Sequence, residues 1–142
     1  MQSQSNLTFS RHYYEVMIRE NHIDTLGHVN NATYLQLFEE ARWELITERG
    51  FGIKEIQKNK LGPVILEINL KFNREIILRE HVKIVTETLE YGGKVGTLSQ
   101  IIYKEDQQIS CEAKMIFGLF NTELRKLVSP TPDWLYAIGA IK

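Results

Sequence analysis

A polar segment at residues 24–31 contains the side chains of this sequence that are best suited to chemistry. It combines a carboxylate (Asp24), a glycine (Gly27), a histidine (His28) and an asparagine pair, and a long apolar-striped segment follows. A carboxylate in a cleft can act as a general base or as a nucleophile toward an acyl carbon. The free N–H groups at a helix N-terminus can stabilise the oxyanion that then develops. The segment therefore indicates acyl-transfer chemistry.

The same residues also have structural interpretations, which their types alone leave open. An aspartate shortly before a helix is often a turn former or a cap. His28 can brace the loop, and Asn30 or Asn31 can cap the helix. Tyr34 lies on the apolar helix face and is expected in the core, with its hydroxyl close enough to reach a cleft.

The segment leads into a helix that is predicted over residues 32–49. Apolar residues recur along one face at helical spacing, namely Tyr34, Leu37, Phe38, Ala41 and Leu45. Gly50 is suited to end the helix. Glu39 and Arg42 are spaced for an ion pair on the helix surface, and Trp43, which projects away from the apolar face, is a candidate interface residue.

Period-two alternation predicts one strand before this helix and four after it. The strands are expected at residues 13–19, 64–72, 82–91, 95–103 and 109–120. Gly92-Gly93 is predicted to form a tight hairpin turn, and the four later strands are expected to form a meander. Residues 53–61 indicate a helical turn or a loop, and residues 131–138 a short helix with Pro132 at its first position.

This order of elements predicts an α+β domain in which a mostly antiparallel sheet curls around the long helix. A length of 142 residues favours one domain, expected over residues 1–142 with its core at about 10–138. The exposed sheet edges would be satisfied by pairing edge to edge in a dimer.

Composition narrows the class of partner and compartment. The 17 basic and 18 acidic side chains leave no net field that would attract nucleic acid or an anionic membrane. No apolar run approaches the ~20 residues of a membrane span, and the first residues lack the apolar core of a signal peptide. The single cysteine, Cys111, continues an alternating apolar pattern and is expected to be a buried, inert residue. These features predict a cytoplasmic protein without a metal site.

Two strings resemble the hotdog-fold acyl-CoA thioesterases of the 4-hydroxybenzoyl-CoA thioesterase type: DTLGHVNNATYL at residues 24–35 and FEEAR at residues 38–42. The resemblance implies a hotdog fold, an antiparallel β-sheet wrapped around one long central α-helix. It implies hydrolysis of an acyl-CoA thioester to a free carboxylic acid and CoA, with Asp24 as general base or nucleophile and no cofactor. It also implies a homodimer or homotetramer with shared active sites.

A thioester suits one carboxylate because its leaving thiol, with a pKa of roughly 8.5, departs with little help from an acid. The backbone N–H groups of Asn31 and Ala32 would donate hydrogen bonds to the oxyanion. Gly27 lets the loop turn sharply and brings backbone close to the thioester. Tyr34 is expected beside the same substrate site.

The string is also similar to that of plant acyl-ACP thioesterases, in which an asparagine separates the acid from the histidine. That asparagine is Leu26 here, so His28 stays open between a catalytic role, substrate orientation and loop bracing. A second acid that is frequent in the family, two positions before the catalytic one, is His22 in this chain.

Coenzyme A has one candidate contact in the sequence. In the bacterial 4-hydroxybenzoyl enzymes a basic turn between the third and fourth strands contacts the nucleotide phosphates, and the matching positions here are 92–94. Lys94 is therefore the predicted CoA-binding residue, and Lys71 and Arg79 are weaker candidates.

Two alternatives to an acyl-CoA thioesterase are consistent with the sequence. One is an acyl-ACP thioesterase, and the other is a non-catalytic module that binds or senses acyl-CoA. Asp24 argues against the second alternative, since a binder has no need of a carboxylate beside a thioester attached to an anionic nucleotide. Hydrophobic patterning does not define the length of the acyl chain.

Overall fold

The computed structural model describes residues 7–141, so the predicted domain bounds extend beyond it at both ends. The elements are β1 (Thr8–Phe9), β2 (Arg11–Met17), α1 (Asn31–Glu48), α2 (Ile53–Asn59), β3 (Leu61–Phe72), β4 (His81–Gly92), β5 (Val95–Tyr103), β6 (Ile109–Asn121), β7 (Lys126–Val128), α3 (Pro132–Ala137) and β8 (Ala140–Ile141). A 3-10 turn at Glu20–His22 follows β2. Five predicted strands and both predicted helices are present, with ends shifted by up to three residues.

The main sheet is antiparallel and has the strand order β2-β4-β5-β6-β3, with β7 paired to β6. The predicted four-strand meander is therefore wrong for β3, which pairs with β6 at the far edge. After β2 the chain crosses the sheet through α1 and α2, so that β3 begins at the opposite edge. Alternation in the sequence identifies a strand with one apolar face, but it does not specify the strand's neighbour.

The sheet wraps around α1, as the resemblance implies. The buried side chains of the helix are Thr33, Tyr34, Leu37, Phe38, Ala41, Leu45 and Ile46. They pack against inward-facing residues of the sheet such as Ile84, Ile102 and Met115, which are almost wholly buried. Each large apolar side chain buried in this way contributes roughly 1.5–3 kcal/mol of favourable transfer free energy.

A buried glutamine fixes the helix on the sheet. The Nε2 of Gln100 donates to the backbone carbonyl of Phe38 at 3.0 Å and to Thr86 Oγ1 at 2.9 Å, and its Oε1 accepts from Arg42 Nη1 at 2.9 Å. The predicted ion pair between Glu39 and Arg42 is not among the salt bridges of residues 7–141. The guanidinium instead turns toward the sheet, where Gln100 supplies a buried acceptor.

The β4–β5 hairpin is confirmed, but its turn is shifted by one residue. Gly92 still pairs with Val95, so the two turn residues are Gly93 and Lys94. Gly93 has φ +61°, whereas Gly92 has ordinary strand geometry. The prediction placed both glycines in the turn, although only one position adopts a positive φ.

Two further predictions concern residues inside the described range. Burial raises the pKa of the Cys111 thiol to about 12, and the side chain is fully buried, which confirms a packed residue. Within residues 7–141, none of the helices combines the length and the hydropathy that crossing a bilayer requires.

Candidate active site

The loop that carries Asp24 is closed at both ends by backbone contacts. Ile23 and Val29 form an isolated antiparallel bridge, and the Asp24 N–H donates to the His28 carbonyl at 3.2 Å. Gly27 donates to the Asp24 carbonyl at 3.1 Å and has φ +86°, a conformation that favours glycine. The predicted sharp turn at Gly27 is therefore confirmed.

Only one oxygen of the Asp24 carboxylate takes part in this turn. Its Oδ1 accepts from the Leu26 N–H at 2.9 Å, the side-chain turn expected of an aspartate in a loop. Its Oδ2 makes no hydrogen bond to any residue in the described range 7–141. The side chain is half-buried. One carboxylate oxygen thus fixes the loop while the other remains available to a substrate or a water molecule.

The N-terminus of α1 offers backbone donors close to this loop in sequence. Asn30 is the cap, as one of the two predictions had it: its Oδ1 accepts from the Thr33 N–H at 3.0 Å. The Asn31 and Ala32 N–H groups precede the first bonds of the helix and have no acceptor among the described residues. Both residues are exposed. These two amides are the ones that the sequence predicts as oxyanion donors.

His28 and Tyr34 line a cleft of about 190 Å³ beside the helix N-terminus, together with Val29, Asn31, Phe72, Asn73, Arg74 and Glu75. The His28 Nδ1 lies 3.3 Å from the carbonyl oxygen of the next residue, Val29. This local contact is compatible with both loop bracing and a role toward substrate. His28 is therefore placed at the site, and its role is left open by the geometry.

Tyr34 belongs to the core and reaches the cleft, as both parts of its interpretation stated. The ring is buried and packs edge to face on Phe72 at a centroid distance of 5.4 Å. Its hydroxyl lies 3.4 Å from Ser110 Oγ, which in turn donates to the Arg74 carbonyl at 2.6 Å. Burial raises the pKa of the phenol, so the hydroxyl stays protonated near neutral pH. Tyr34 thus stabilises one wall of the cleft.

Sequence reasoning missed the opposite wall, which is formed by the end of β3 and the residues after it. Asn73 and Arg74 donate backbone N–H groups to the Ser110 carbonyl, at 2.8 and 3.1 Å, and this holds them beside the helix N-terminus. Their position depends on the pairing of β3 with β6. Because the sequence pattern does not reveal that pairing, no signal at residues 73–75 pointed to the site.

The predicted CoA contacts are not brought to this cleft within one protomer. Lys94 lies beside Gly118 of β6, whereas Phe72 of the cleft pairs with Cys111, so about 23 Å of strand separates the two places. Arg79 is held by Glu20 through three contacts of 2.8–3.1 Å. Lys71 is exposed on β3. Lys94 therefore stays a prediction that needs a second chain.

No group of three or more His, Cys, Asp and Glu side chains in the described range 7–141 is arranged to hold a metal ion. The cleft is lined instead by a histidine, two asparagines, an arginine and a glutamate, and Asp24 lies in the loop that precedes His28.

Comparison with known proteins gives one family. Residues 18–138 match the family described as the thioesterase-like superfamily. The chain is 29% identical over 116 residues to the long-chain acyl-CoA thioesterase FadM of Escherichia coli, covering 81% of this chain and 87% of that protein. It is 24% identical over 123 residues to the putative acyl-CoA thioesterase YneP of Bacillus subtilis, covering 84% and 89%.

Solved structures confirm the expected fold. The probable thioesterase YbaW of Escherichia coli superposes with a TM-score of 0.77 at 27% identity, covering 88% of this chain and 94% of that one. A hypothetical protein of Staphylococcus aureus in complex with CoA gives a TM-score of 0.84 at 17% identity, covering 92% and 83%. The antiparallel sheet around one long helix is therefore the hotdog arrangement.

Proposed function

From the premise that this chain belongs to the thioesterase-like superfamily, we propose that it hydrolyses acyl-CoA thioesters to a carboxylic acid and CoA. The similarity to the acyl-CoA thioesterase FadM and to the putative acyl-CoA thioesterase YneP supports the substrate class. The observation that carries the proposal is the available oxygen of Asp24 in a fixed loop that runs directly into the unbonded amides of α1.

In the first route Asp24 acts as a general base. The carboxylate takes a proton from a water molecule, the water oxygen bonds to the acyl carbon, and the carbonyl oxygen becomes an oxyanion. The Asn31 and Ala32 N–H groups stabilise that charge, with the positive end of the α1 dipole behind them. When the carbon–sulfur bond breaks, the CoA thiolate leaves and takes up the proton held by Asp24.

In the second route Asp24 itself bonds to the acyl carbon and expels the thiolate, and water then hydrolyses the mixed anhydride. Both routes need the ionised carboxylate. The wall that Tyr34 forms beside His28 borders the acyl group in either case, and neither route uses a cofactor.

The test is to follow thiol release from short, long and aromatic acyl-CoA thioesters with the wild type and with Asp24→Asn. Asparagine keeps an Oδ1 acceptor for the Leu26 N–H, so the loop is retained while the base is removed. We expect kcat/KM to fall by about 100-fold or more, the scale of an essential acid–base group.

Asp106→Asn is the matched control. Asp106 Oδ1 accepts from the Gln108 N–H at 3.0 Å, which is the same type of turn in the exposed β5–β6 loop. Its kcat/KM should equal that of the wild type. Unchanged turnover in Asp24→Asn would exclude both routes, because each of them requires the carboxylate. Turnover of carrier-protein thioesters alone would identify an acyl-ACP thioesterase, and binding without turnover of any thioester would identify a non-catalytic module.

A second copy of the chain is expected to complete the site. The edge strand β3 is twelve residues long and pairs only with β6 within the described part of the chain. Its apolar side chains Leu66, Ile68 and Phe72 are 49%, 41% and 49% exposed. A long, apolar edge is an association surface, and antiparallel pairing of two β3 strands satisfies its backbone groups.

Such a dimer also gives Lys94 a way to reach CoA. In such a dimer the two β3 strands run in opposite directions. The end of the partner's sheet that carries its Lys94 therefore lies beside the Asp24 loop of the first chain. This arrangement would let one chain supply the carboxylate and the other a phosphate contact.

A further inference from the structure

A second cavity lies between α1 and the sheet, at the end of the helix remote from the Asp24 loop. Its volume is about 130 Å³. It is lined by the buried side chains of Leu98, Phe117, Trp134 and Ile138, by residues of α1 that include Trp43, and by Pro63 and Ile65 of β3. The lining is therefore mostly apolar, with Glu39, Arg42 and Thr86 as its polar members, and the cavity lies between α1 and the edge strand β3.

An apolar strip on β3 connects this cavity with the cleft. Residues that face each other across an antiparallel pair point to the same side of the sheet. Ile68 and Phe72 lie opposite the buried Met115 and Cys111, so they face α1 although they are partly exposed. Phe72 contributes to the cleft at one end, and Ile65 lines the cavity at the other.

Two charged side chains line the cavity, those of Glu39 and Arg42. Arg42 donates to Gln100 Oε1 at 2.9 Å and to Met115 Sδ at 3.3 Å, so its guanidinium is held against the sheet. An engineered apolar cavity of similar size, about 150 Å³, stays dry and binds benzene. The buried apolar part of the lining suits a terminal hydrocarbon segment, because a polar segment there would lose its hydrogen bonds to water.

The distance from the cleft to the cavity defines a chain length. The rise of α1 from Asn30 to Trp43 is about 20 Å. An extended chain covers about 3.6 Å for every three backbone bonds, or about 1.2 Å a bond, so about 16 bonds span that distance. A short acyl group with its thioester at Asp24 ends well before the cavity.

Given the proposed function, on which this step rests, we infer that the cavity receives the methyl end of an acyl chain of roughly 14 to 18 carbon atoms. The thioester then lies at the Asp24 loop and the chain follows β3 along the flank of α1. Leu98, Trp134 and Ile138 form the wall that sets the chain-length preference of the enzyme.

The kinetic test compares butyryl-, decanoyl- and palmitoyl-CoA. The wild type should show the highest kcat/KM for palmitoyl-CoA. Ile138→Phe reduces the cavity and should lower the ratio of palmitoyl to decanoyl kcat/KM by about 10-fold, because apolar pockets discriminate on that scale. Leu89→Phe adds the same bulk at an exposed position of β4 and should keep the wild-type ratio.

A binding test requires no substitution. The sequence contains two tryptophans, and both Trp43 and Trp134 line the cavity. The thioether hexadecyl-CoA, which cannot be hydrolysed, should change the tryptophan emission of the wild type, whereas butyl-CoA should not.

The outcomes separate this inference from the proposed function. Equal kcat/KM for butyryl- and palmitoyl-CoA, an unchanged ratio in folded Ile138→Phe, or no emission change with hexadecyl-CoA would overturn the cavity assignment while hydrolysis stands. Absence of hydrolysis for every chain length would overturn the proposed function, and the emission test would still decide whether the alkyl chain occupies the cavity.

Discussion

Gly27 and Gly92 differ in backbone conformation, so replacing each by alanine tests whether the turn at Gly27 positions the Asp24 carboxylate. A Cβ at either position meets no heavy atom within 4 Å, but only Gly27 has a positive φ, +86°. Replacement of Gly27 by alanine therefore adds strain without a clash. The left-handed conformation costs an L residue about 1–2 kcal/mol.

We expect Gly27→Ala to lower kcat for any acyl-CoA that the wild type hydrolyses, because relief of the strain moves the Asp24 carboxylate relative to the α1 amides. Gly92→Ala should change neither kcat nor the unfolding midpoint. Steady-state kinetics and thermal unfolding of the two variants provide the measurement. Equal kcat in Gly27→Ala and the wild type would show that the position of the carboxylate does not depend on this turn.

Cys111 gives a prediction on pH. Burial raises its pKa to about 12 in the folded chain, against an ordinary value of about 8.5 when unfolded. The neutral thiol therefore stabilises the fold fully below about pH 8.5, and this contribution is lost as the pH rises toward 12. Cys111→Ala should lose less unfolding free energy than the wild type between about pH 9 and 11. Urea unfolding measures this difference. An equal decrease in the free energy of unfolding of both proteins over this pH range would contradict the raised pKa of Cys111.

At the scale of elements, the sequence patterns predict where each helix and strand lies along the chain, but they do not predict which strands pair. Alternation locates β3 and helical spacing locates α1, since each depends on one face being apolar. The position of β3 beside β6, and with it the cleft wall at Asn73 and Arg74, depends on which strands pair. Asp24 and the Asn30 cap are local features, so their positions could be predicted. Contacts of Gln100 with α1 are not local, and they were missed.

Two substitutions of the Asn30 cap separate its effect on the stability of the fold from its effect on catalysis. Asn30→Ala removes the acceptor of the Thr33 N–H and should lower the free energy of unfolding by about 1 kcal/mol. Asn30→Asp keeps that acceptor and should preserve stability, but it adds a negative charge beside the proposed oxyanion donors, so kcat should fall. Denaturant unfolding and kinetics on both variants test this. Full activity in Asn30→Asp would argue against an oxyanion site at Asn31 and Ala32.

For the whole molecule, the edge strand β3 predicts assembly. Ile68→Arg places a charge on the apolar side of β3 and should reduce the sedimenting mass to that of one chain. Leu124→Arg, at a residue 62% exposed in the β6–β7 turn, is the control and should keep the wild-type mass. A folded Ile68→Arg with unchanged mass would exclude β3 as the interface.

The reach of Lys94 across such a dimer is also testable. Lys94→Gln should raise KM for acyl-CoA by about two- to fivefold, the effect of one exposed charge contact. KM for an N-acetylcysteamine thioester, which lacks the nucleotide, should stay the same. Lys114→Gln, an exposed lysine on the outer face of β6, serves as control. An equal change in KM for both kinds of thioester would exclude a phosphate contact.

The bond between Gln100 and the Phe38 carbonyl fixes the rotation of α1 about its own axis. Each residue turns an α-helix by about 100°, so the direction of the N-terminal amides is set by the number of residues between them and Phe38. One alanine inserted between Gln36 and Leu37 would leave the anchored half of the helix in place and swing the amides about 100° away from the carboxylate. The orientation of the site is thus encoded in a residue count within the helix, and a single insertion there should abolish turnover.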